Sequence, residues 1–242
     1  MTQQTQKLEA ALGELQRQIE ALVREEQLRD RLTGLGNDQA LAESLRNALE
    51  RGEPFWFAFI EVDYFKRVND KFGYELADGL LQKIGKRLAA FEDYIASTMP
   101  IRAHGDEFYL LGPKGPNVVE GSIHDALQRL RAEIEGIAVS TEHGTMSCTV
   151  SIGWMTSDDT GDEILTHRVA MRMLEATVGT AKIQGRNCVI RYSPDVEKAQ
   201  RRSIRDDCRE CNSSFTLEVP LGSPHQGELF CPNCGARIER PL

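Results

Sequence analysis

The sequence predicts an α/β fold: a mixed central sheet with helices on both faces, an N-terminal helix, and a small C-terminal zinc ribbon. Three observations carry the sheet and its helices. FWFAFIEV, Phe55 to Val62, is almost continuously apolar, as a strand covered on both faces must be. IRAHGDEFYLLG, Ile101 to Gly112, sets apolar runs on either side of a tight polar centre and reads as a hairpin. Around these, apolar residues recur at helical spacing, as in Ala77, Leu81, Ile84 and Leu88. Strands that alternate with amphipathic helices bury their apolar faces as layers of helix, sheet and helix.

Taken in order, residues 1–29 form the N-terminal helix. Leu8, Leu12, Leu15, Ile19 and Leu22 trace a heptad seam in a Gln/Glu/Arg-rich segment, interrupted only by Gly13. The seam fits a parallel coiled coil joining two subunits, or a helix packed on its own domain; at about two heptads it is marginal alone. DRLTGLGN, Asp30 to Asn37, breaks the helix at Gly34 and Gly36, and a second helix begins near Gln39. The strand Phe55 to Val62 delivers Glu61, Val62 and Asp63 to the sheet edge where open α/β sheets bind ligands. A helical turn through Phe65 and Val68 ends at Gly73, before the helix of Ala77 to Leu88. A helix from about Ile123 to Ile137 follows the hairpin, and MSCTVSIGWM reads as one apolar strand. Asp162 to Gln184 is expected as a helix with Ile164, Met171, Leu174, Val178 and Ala181 on one side and Gly185 as its stop. NCVIRY closes the sheet, so the α/β domain covers 30–193. A polar connector, 194–206, leads to the Cys-rich module, 207–242. No internal repeat is visible.

The chain has 242 residues and a formal charge of -8. That balance argues against broad nucleic-acid binding but leaves room for a local basic pocket. The N-terminus lacks an apolar h-region and no apolar run approaches the ~20 residues that span a bilayer, so a cytoplasmic protein without a membrane partner is expected. Of the six cysteines, Cys208 and Cys211 pair as CxxC, as do Cys231 and Cys234, with nineteen residues between the two pairs. In a reducing compartment this spacing points to structural Zn2+ held by four thiolates, a closed shell with no position left for catalysis. The metal would supply much of the module's folding free energy. His225, between the pairs, reads as a loop residue. Basic residues in the module are balanced by acidic ones, which disfavours reading DNA and leaves docking to a protein partner, dimer support or metal sensing. Cys148 and Cys188 lie singly in apolar runs, as buried small hydrophobes do.

The chemistry centres on the hairpin tip. Asp106 and Glu107 are adjacent carboxylates there, suited to holding a cation, although on residue types alone a solvated acidic turn is the more ordinary reading. Five motifs in order decide between these: DRLTGLGN, EVDYFKRVNDKFGYELADGLL, RAHGDEF, TVSIGW and AKIQGRN. Over Asp30 to about Tyr192 the chain resembles the GGDEF domain of diguanylate cyclases, whose patterns are DxLTGLxN, DxDxFKxxND…GD, RxGGDEF and AKxxGRN.

The resemblance implies a nucleotidyl-cyclase-like palm that condenses two GTP into cyclic di-GMP with release of pyrophosphate. It implies a homodimer, each subunit presenting one GTP, and Mg2+ or Mn2+ to neutralise the phosphates. It places the metal on Glu61, the Val62 carbonyl and Asp106, with Asp106 and Glu107 as the catalytic acids. Guanine falls to Asn69 and Asp78, an amide and a carboxylate that match its acceptor and donor edge. The phosphates fall to Lys182, Arg186 and the backbone N–H groups of Tyr64, Phe65 and Lys66, with His104 and Gly105 bordering the substrate. Read singly, Asn69 could end a helical turn, Asp78 could serve a helix N-terminus, and Lys182 and Arg186 could serve a helix dipole. Two positions depart from the pattern. Glu61 stands where the family has Asp, moving a carboxylate by about 1 Å against a metal intolerant of poor geometry. His104 stands where the family has its first Gly, and either swings outward or blocks GTP. Ile95 and Thr98 replace the RxxD pair that carries product inhibition in many members. An active cyclase is the expectation, with a catalytically silent GTP-binding or protein-docking adaptor as the alternative.

Overall fold

The computed structural model of the chain describes residues 3–142, 144–161, 163–199, 201–207 and 214–220. Strand β1 (Phe55–Val62) is the middle of a five-stranded sheet built with β2 (Met99–His104), β3 (Glu107–Pro113), β6 (Val150–Thr156) and β7 (Val189–Arg191), in the order β2-β3-β1-β6-β7. A separate hairpin pairs β4 (Ala138–Thr141) with β5 (Gly144–Ser147). β1 runs antiparallel to both neighbours, and only β6 and β7 pair in parallel. The fold is therefore mixed α/β with a mostly antiparallel sheet.

The period of two along β1 explains its composition. Phe55, Phe57 and Phe59 face one layer, where they pack with α2 (Asp38–Arg51) and α6 (His167–Ile183) through Leu41, Leu45, Met173 and Leu174. Trp56, Ala58, Ile60 and Val62 face the other, with α3 (Phe65–Phe72), α4 (Tyr74–Ala89) and α5 (Glu120–Glu135), through Val68, Leu81, Ile84, Leu127 and Leu130. Helices on both sides, not parallel pairing, make this strand apolar along its length. Glu61 continues the phase of the three phenylalanines, and so arrives on the α6 side. At Gly153, opposite Phe59 on β6, a Cβ would sit 2.8 Å from the Val178 backbone nitrogen, so the glycine lets α6 settle directly on the sheet. That fixes the height of α6, whose last turn carries Lys182.

Two expectations are corrected. MSCTVSIGWM is not one strand: β5 ends at Ser147, β6 begins at Val150, and Met146 belongs to the β4 hairpin. The helix expected from Asp162 begins at His167, because the Thr166 side chain accepts from the Val169 N–H at 3.2 Å and caps it there. Ile164 therefore lies outside the helix and is 82% exposed.

Helix α1 (Gln3–Gln27) leaves Leu12, Leu15, Ile19 and Leu22 each more than half exposed, so these seam residues are not packed on their own domain. Regular structure continues through the stretch read as a connector: α7 (Pro194–Ala199), then β8 (Arg201–Asp207) paired antiparallel with β9 (Ser214–Pro220). The pairing of Asp207 with Ser214 brackets residues 208–213, which include Cys208 and Cys211. Those residues, His225, Cys231 and Cys234 lie outside the described ones. Among the described residues no helix is long and apolar enough to cross a membrane.

Candidate active site

The antiparallel register of β1 and β3 sets Glu61 directly opposite Glu107, and the Val62 N–H donates to the Asp106 carbonyl at 3.2 Å. The ends of these strands thus bring Glu61, Asp106 and Glu107 to one edge. Directly opposed like charges destabilise a sheet unless something compensates them. Two compensations are present. Lys182 pairs with Glu61, and His104 Nδ1 lies 3.2 Å from Glu107 Oε2. The His104 side chain is 71% exposed, so it points outward from the hairpin.

Burial raises the Asp106 carboxyl above its ordinary value, and the Glu61 charge adds to this against Lys182 and His104. Burial likewise raises Glu107, helped by Glu61 and Asp106 and opposed by His104. Tyr109, whose hydroxyl donates to Glu107 Oε2 at 3.4 Å, is raised by burial and then by that carboxylate. An edge where acids hold their protons more tightly than usual is one where a cation is favoured. Two side-chain carboxylates and the Val62 carbonyl supply hard oxygen donors of the kind Mg2+ or Mn2+ takes. No group of three or more His, Cys, Asp or Glu placed to hold a metal occurs among the described residues.

The turn itself is anchored from behind. Arg102 donates from Nε and Nη2 to the Gly105 carbonyl at 2.9 and 2.7 Å, and from Nη1 to both Asp30 oxygens at 3.1 and 3.0 Å. Burial would raise Asp30, but hydrogen bonds from Thr33 and Arg102 outweigh it and hold the carboxyl below its usual range. Gly105 sits at φ 52°, a left-handed position suited to glycine. DRLTGLGN and RAHGDEF therefore meet as one support.

On the neighbouring rim, α3 and α4 meet at Gly73 and carry Asn69 and Asp78. Among the described residues neither side chain has a hydrogen-bond partner, so neither serves as a cap. Tyr64, at φ 56°, turns the chain from β1 into α3 and sets the N–H groups of Phe65 and Lys66 at a helix N-terminus. Across from it Gly185, Arg186 and Asn187 take successive positive φ values of 114°, 66° and 48°. The Arg186 guanidinium donates to the Lys182 carbonyl at 3.2 Å and lies 4.3 Å from the Tyr64 ring centroid. Lys66, Arg67, Lys71 and Arg186 have no carboxylate partner among the described residues, a local basic rim in a chain of net charge -8. Ile95 and Thr98 are buried, and Thr98 Oγ1 donates to the Ile95 carbonyl at 2.7 Å.

The structure thus gathers Glu61, Val62, Asp106, Glu107, Lys182 and His104 at one edge, with Tyr64, Phe65, Lys66 and Arg186 beside it and Asn69 and Asp78 on the α3–α4 rim. Sequence reasoning missed two organisers. Asp63 is 4% exposed and accepts from Thr149 Oγ1 and Ser151 Oγ, both at 2.7 Å, and from the Asn187 N–H at 3.1 Å. It ties the end of β1 to the start of β6 and to the Arg186 loop. Arg102 is the other; a charged side chain inside an apolar hairpin strand signals a partner, but not which one.

Comparison with known proteins agrees with this arrangement. The sequence model described as "Diguanylate cyclase, GGDEF domain" matches residues 27–188. The response regulator PleD of Caulobacter vibrioides is 31% identical over 170 residues, covering 66% of this chain and 35% of PleD. Diguanylate cyclase DgcP of Pseudomonas aeruginosa is 36% identical over 138 residues, 54% of this chain and 19% of DgcP. The chain thus spans about a third or less of these relatives. The crystal structure of diguanylate cyclase SiaD with its activator SiaC, from Pseudomonas aeruginosa, superposes with a TM-score of 0.65 at 27% identity, over 78% of this chain and 70% of that one. The coiled coil and GGDEF domain of DgcB from Caulobacter crescentus, in complex with c-di-GMP, gives 0.62 at 22% identity over 78% and 100%, a likeness of fold.

Proposed function

Because the chain belongs to the GGDEF family of diguanylate cyclases, whose pattern runs through residues 27–188, we propose that it condenses two GTP into cyclic di-GMP. The observation that carries this reading is the meeting of Glu61, Asp106 and Glu107 with Lys182 at one sheet edge, beside the unpaired cations Lys66 and Arg186. Asn69 and Asp78, with free side chains, hold the guanine edge. Lys182, Arg186 and the N–H groups of Tyr64, Phe65 and Lys66 hold the triphosphate. The 3'-hydroxyl of each GTP attacks the α-phosphorus of the other: a P–O bond forms, the bond to the β-phosphate bridging oxygen breaks, and pyrophosphate leaves with the electron pair. Glu107, its proton affinity raised by burial, accepts the hydroxyl proton. A divalent metal on Glu61, Asp106 and the Val62 carbonyl neutralises phosphate charge when bound.

The reaction needs two copies face to face. The exposed seam Leu12, Leu15, Ile19 and Leu22 supports a parallel coiled-coil homodimer, since burying it requires a second helix. Cys208, Cys211, Cys231 and Cys234 form a structural Zn2+ ribbon that docks a protein partner, in a cytoplasmic enzyme. Metal analysis returning no zinc, with four freely titrating thiols in the native tail, would remove the ribbon from this reading.

The deciding experiment incubates purified protein with GTP and Mg2+ or Mn2+ and measures cyclic di-GMP by mass spectrometry beside an Asp106→Ala control. Product that depends on Asp106 supports the cyclase. GTP binding without product at high protein concentration leaves the second reading, a silent adaptor, which the His104–Glu107 and Glu61–Lys182 pairings favour by occupying the groups that catalysis needs. Because Ile95 and Thr98 are buried and bonded to one another, turnover should show no product inhibition through that pair.

A further inference from the structure

Tyr64 stands out among the residues of the site because its side chain, not only its backbone, is engaged. Tyr64 is 49% exposed, yet two guanidinium carbons lie over its ring: Arg186 at 4.3 Å and Arg67 at 4.4 Å from the centroid. Arg67 lies in the first turn of α3, its N–H bonded to the Tyr64 carbonyl at 2.8 Å. Arg186 comes from the loop after α6, on the other side of the site. Two like charges gathered on one ring repel, and among the described residues no carboxylate neutralises either. An aromatic face attracts a cation through its quadrupole, but it does not cancel the charge. Two guanidiniums held together in this way are suited to an anion.

The backbone points the same way. Tyr64 at φ 56° and Arg186 at φ 66° are both side-chain-bearing residues in the left-handed region, and they face one another. Such conformations persist where surrounding structure over-determines them, and they concentrate at ligand clamps. Here Asp63 supplies the constraint, since the residue next to Tyr64 accepts from the N–H of the residue next to Arg186 at 3.1 Å. The two segments with positive φ are thereby tied together, and both guanidiniums lie against the one ring.

We propose that the Tyr64 ring is a positioning element that holds Arg186 and Arg67 as one two-guanidinium anion clamp, and that Arg67 is a further phosphate-contacting residue of the site. The clamp rests on the triphosphate reading given above and adds to it a residue, Arg67, and a role, ring-held guanidiniums, that the family pattern does not assign. Long arginine side chains lose rotamer freedom when they bind; a ring that orders them beforehand removes part of that cost from ligand binding. Planar guanidinium forks are suited to bidentate contact with phosphate oxygens.

The test is calorimetric titration of the full chain with Mg2+ and either a non-hydrolysable GTP analogue, inorganic tripolyphosphate, or guanosine. Tyr64→Gly removes the ring at a backbone position glycine prefers, and Tyr64→Asn does the same with a side chain that tolerates it. Both should weaken the GTP analogue and tripolyphosphate by about threefold to tenfold, the worth of one or two exposed cation–π contacts, and leave guanosine affinity unchanged. Tyr64→Phe should restore wild-type affinity, and Arg67→Gln should weaken both phosphate ligands but not guanosine. Wild-type affinity for tripolyphosphate in both ring-less variants, or a Tyr64→Phe as weak as Tyr64→Gly, would overturn the proposal. If wild-type protein binds tripolyphosphate as tightly as the GTP analogue and Tyr64→Gly still weakens it, guanine recognition fails while the clamp stands. If wild-type protein binds neither phosphate ligand, both readings fall.

Discussion

Replacing Lys182 with glutamine isolates the charge balance of the site. Lys182 pairs with Glu61, the two side chains being 30% and 22% exposed. Unit charges about 4 Å apart attract by roughly 4 kcal/mol at an effective dielectric of about 20. Desolvation of the two ions offsets much of this, and water reaches both partners, so a net contribution of about 1–2 kcal/mol remains, between an exposed and a buried pair. The loss falls on a crowded neighbourhood: Glu61 is opposite Glu107 and raises Asp106, so glutamine leaves three carboxylates with the His104 ring beside Glu107 as their basic neighbour. Lys182→Gln should therefore lower the melting temperature in EDTA and low salt by about 2–8 °C, taking about 2–4 °C per kcal/mol for a domain of this size. Glu61→Gln, which removes one of the repelling acids, should leave it unchanged or raise it. Nucleotide-free Lys182→Gln should also bind Mg2+ more tightly than wild type, because the metal no longer displaces an ammonium. A Lys182→Gln variant that melts at or above the wild-type temperature, or binds Mg2+ more weakly, refutes the idea that Lys182 stands in for the metal.

The raised carboxyls give a pH dependence of definite sign. In the metal-free fold Asp106 and Glu107 hold protons more tightly than in the unfolded chain, so they lower stability above their folded-state values and release that cost as pH falls towards their ordinary ones. Asp106→Asn should therefore stabilise the metal-free protein at neutral pH, with the advantage shrinking in acid; urea titrations at several pH values measure it, and an advantage that grows in acid would be the wrong sign. Behind the turn, Arg102→Leu should cost about 2–4 kcal/mol in urea denaturation, since it strands the Asp30 carboxylate and the Gly105 carbonyl, with the Arg102 and Asp30 side chains only 12% and 19% exposed.

Much of the fold was legible because single strands carry both periodicities at once. FWFAFIEV alone announced a doubly covered strand, and its bounds in the structure are those of the apolar run. Its pairing direction was not legible, since burial on both faces produces the same composition whether neighbours run parallel or antiparallel. Ile164 and the break at Cys148–Thr149 were missed for a related reason: apolar residues near an element's end extend its pattern, while a cap such as Thr166 or a strand change decides where it stops. In the site, residues within a contiguous motif could be read together, but contacts across the chain could not. Arg102 with Asp30, and Asp63 with Thr149 and Asn187, join segments whose spacing in sequence carries no trace of their meeting.

The two positions that depart from the family pattern acquire a common meaning in the structure. Glu61 reaches Lys182, and His104 reaches Glu107. Each substituted residue is one half of a contact between an acid and a basic side chain, and the two acids concerned are the ones set opposite each other by the β1–β3 register. A glycine at 104 could offer Glu107 no such partner, and a shorter acid at 61 would reach less far towards α6. The departures therefore act on the same quantity, the uncompensated negative charge at the sheet edge: the Glu61–Lys182 pair reduces it, and His104 does so when its ring carries a proton. A site neutralised from within needs less from a cation to stay folded. It also makes that cation compete for its ligands, so dependence on divalent metal concentration is the property in which this chain should differ most from relatives that carry aspartate and glycine at these two positions.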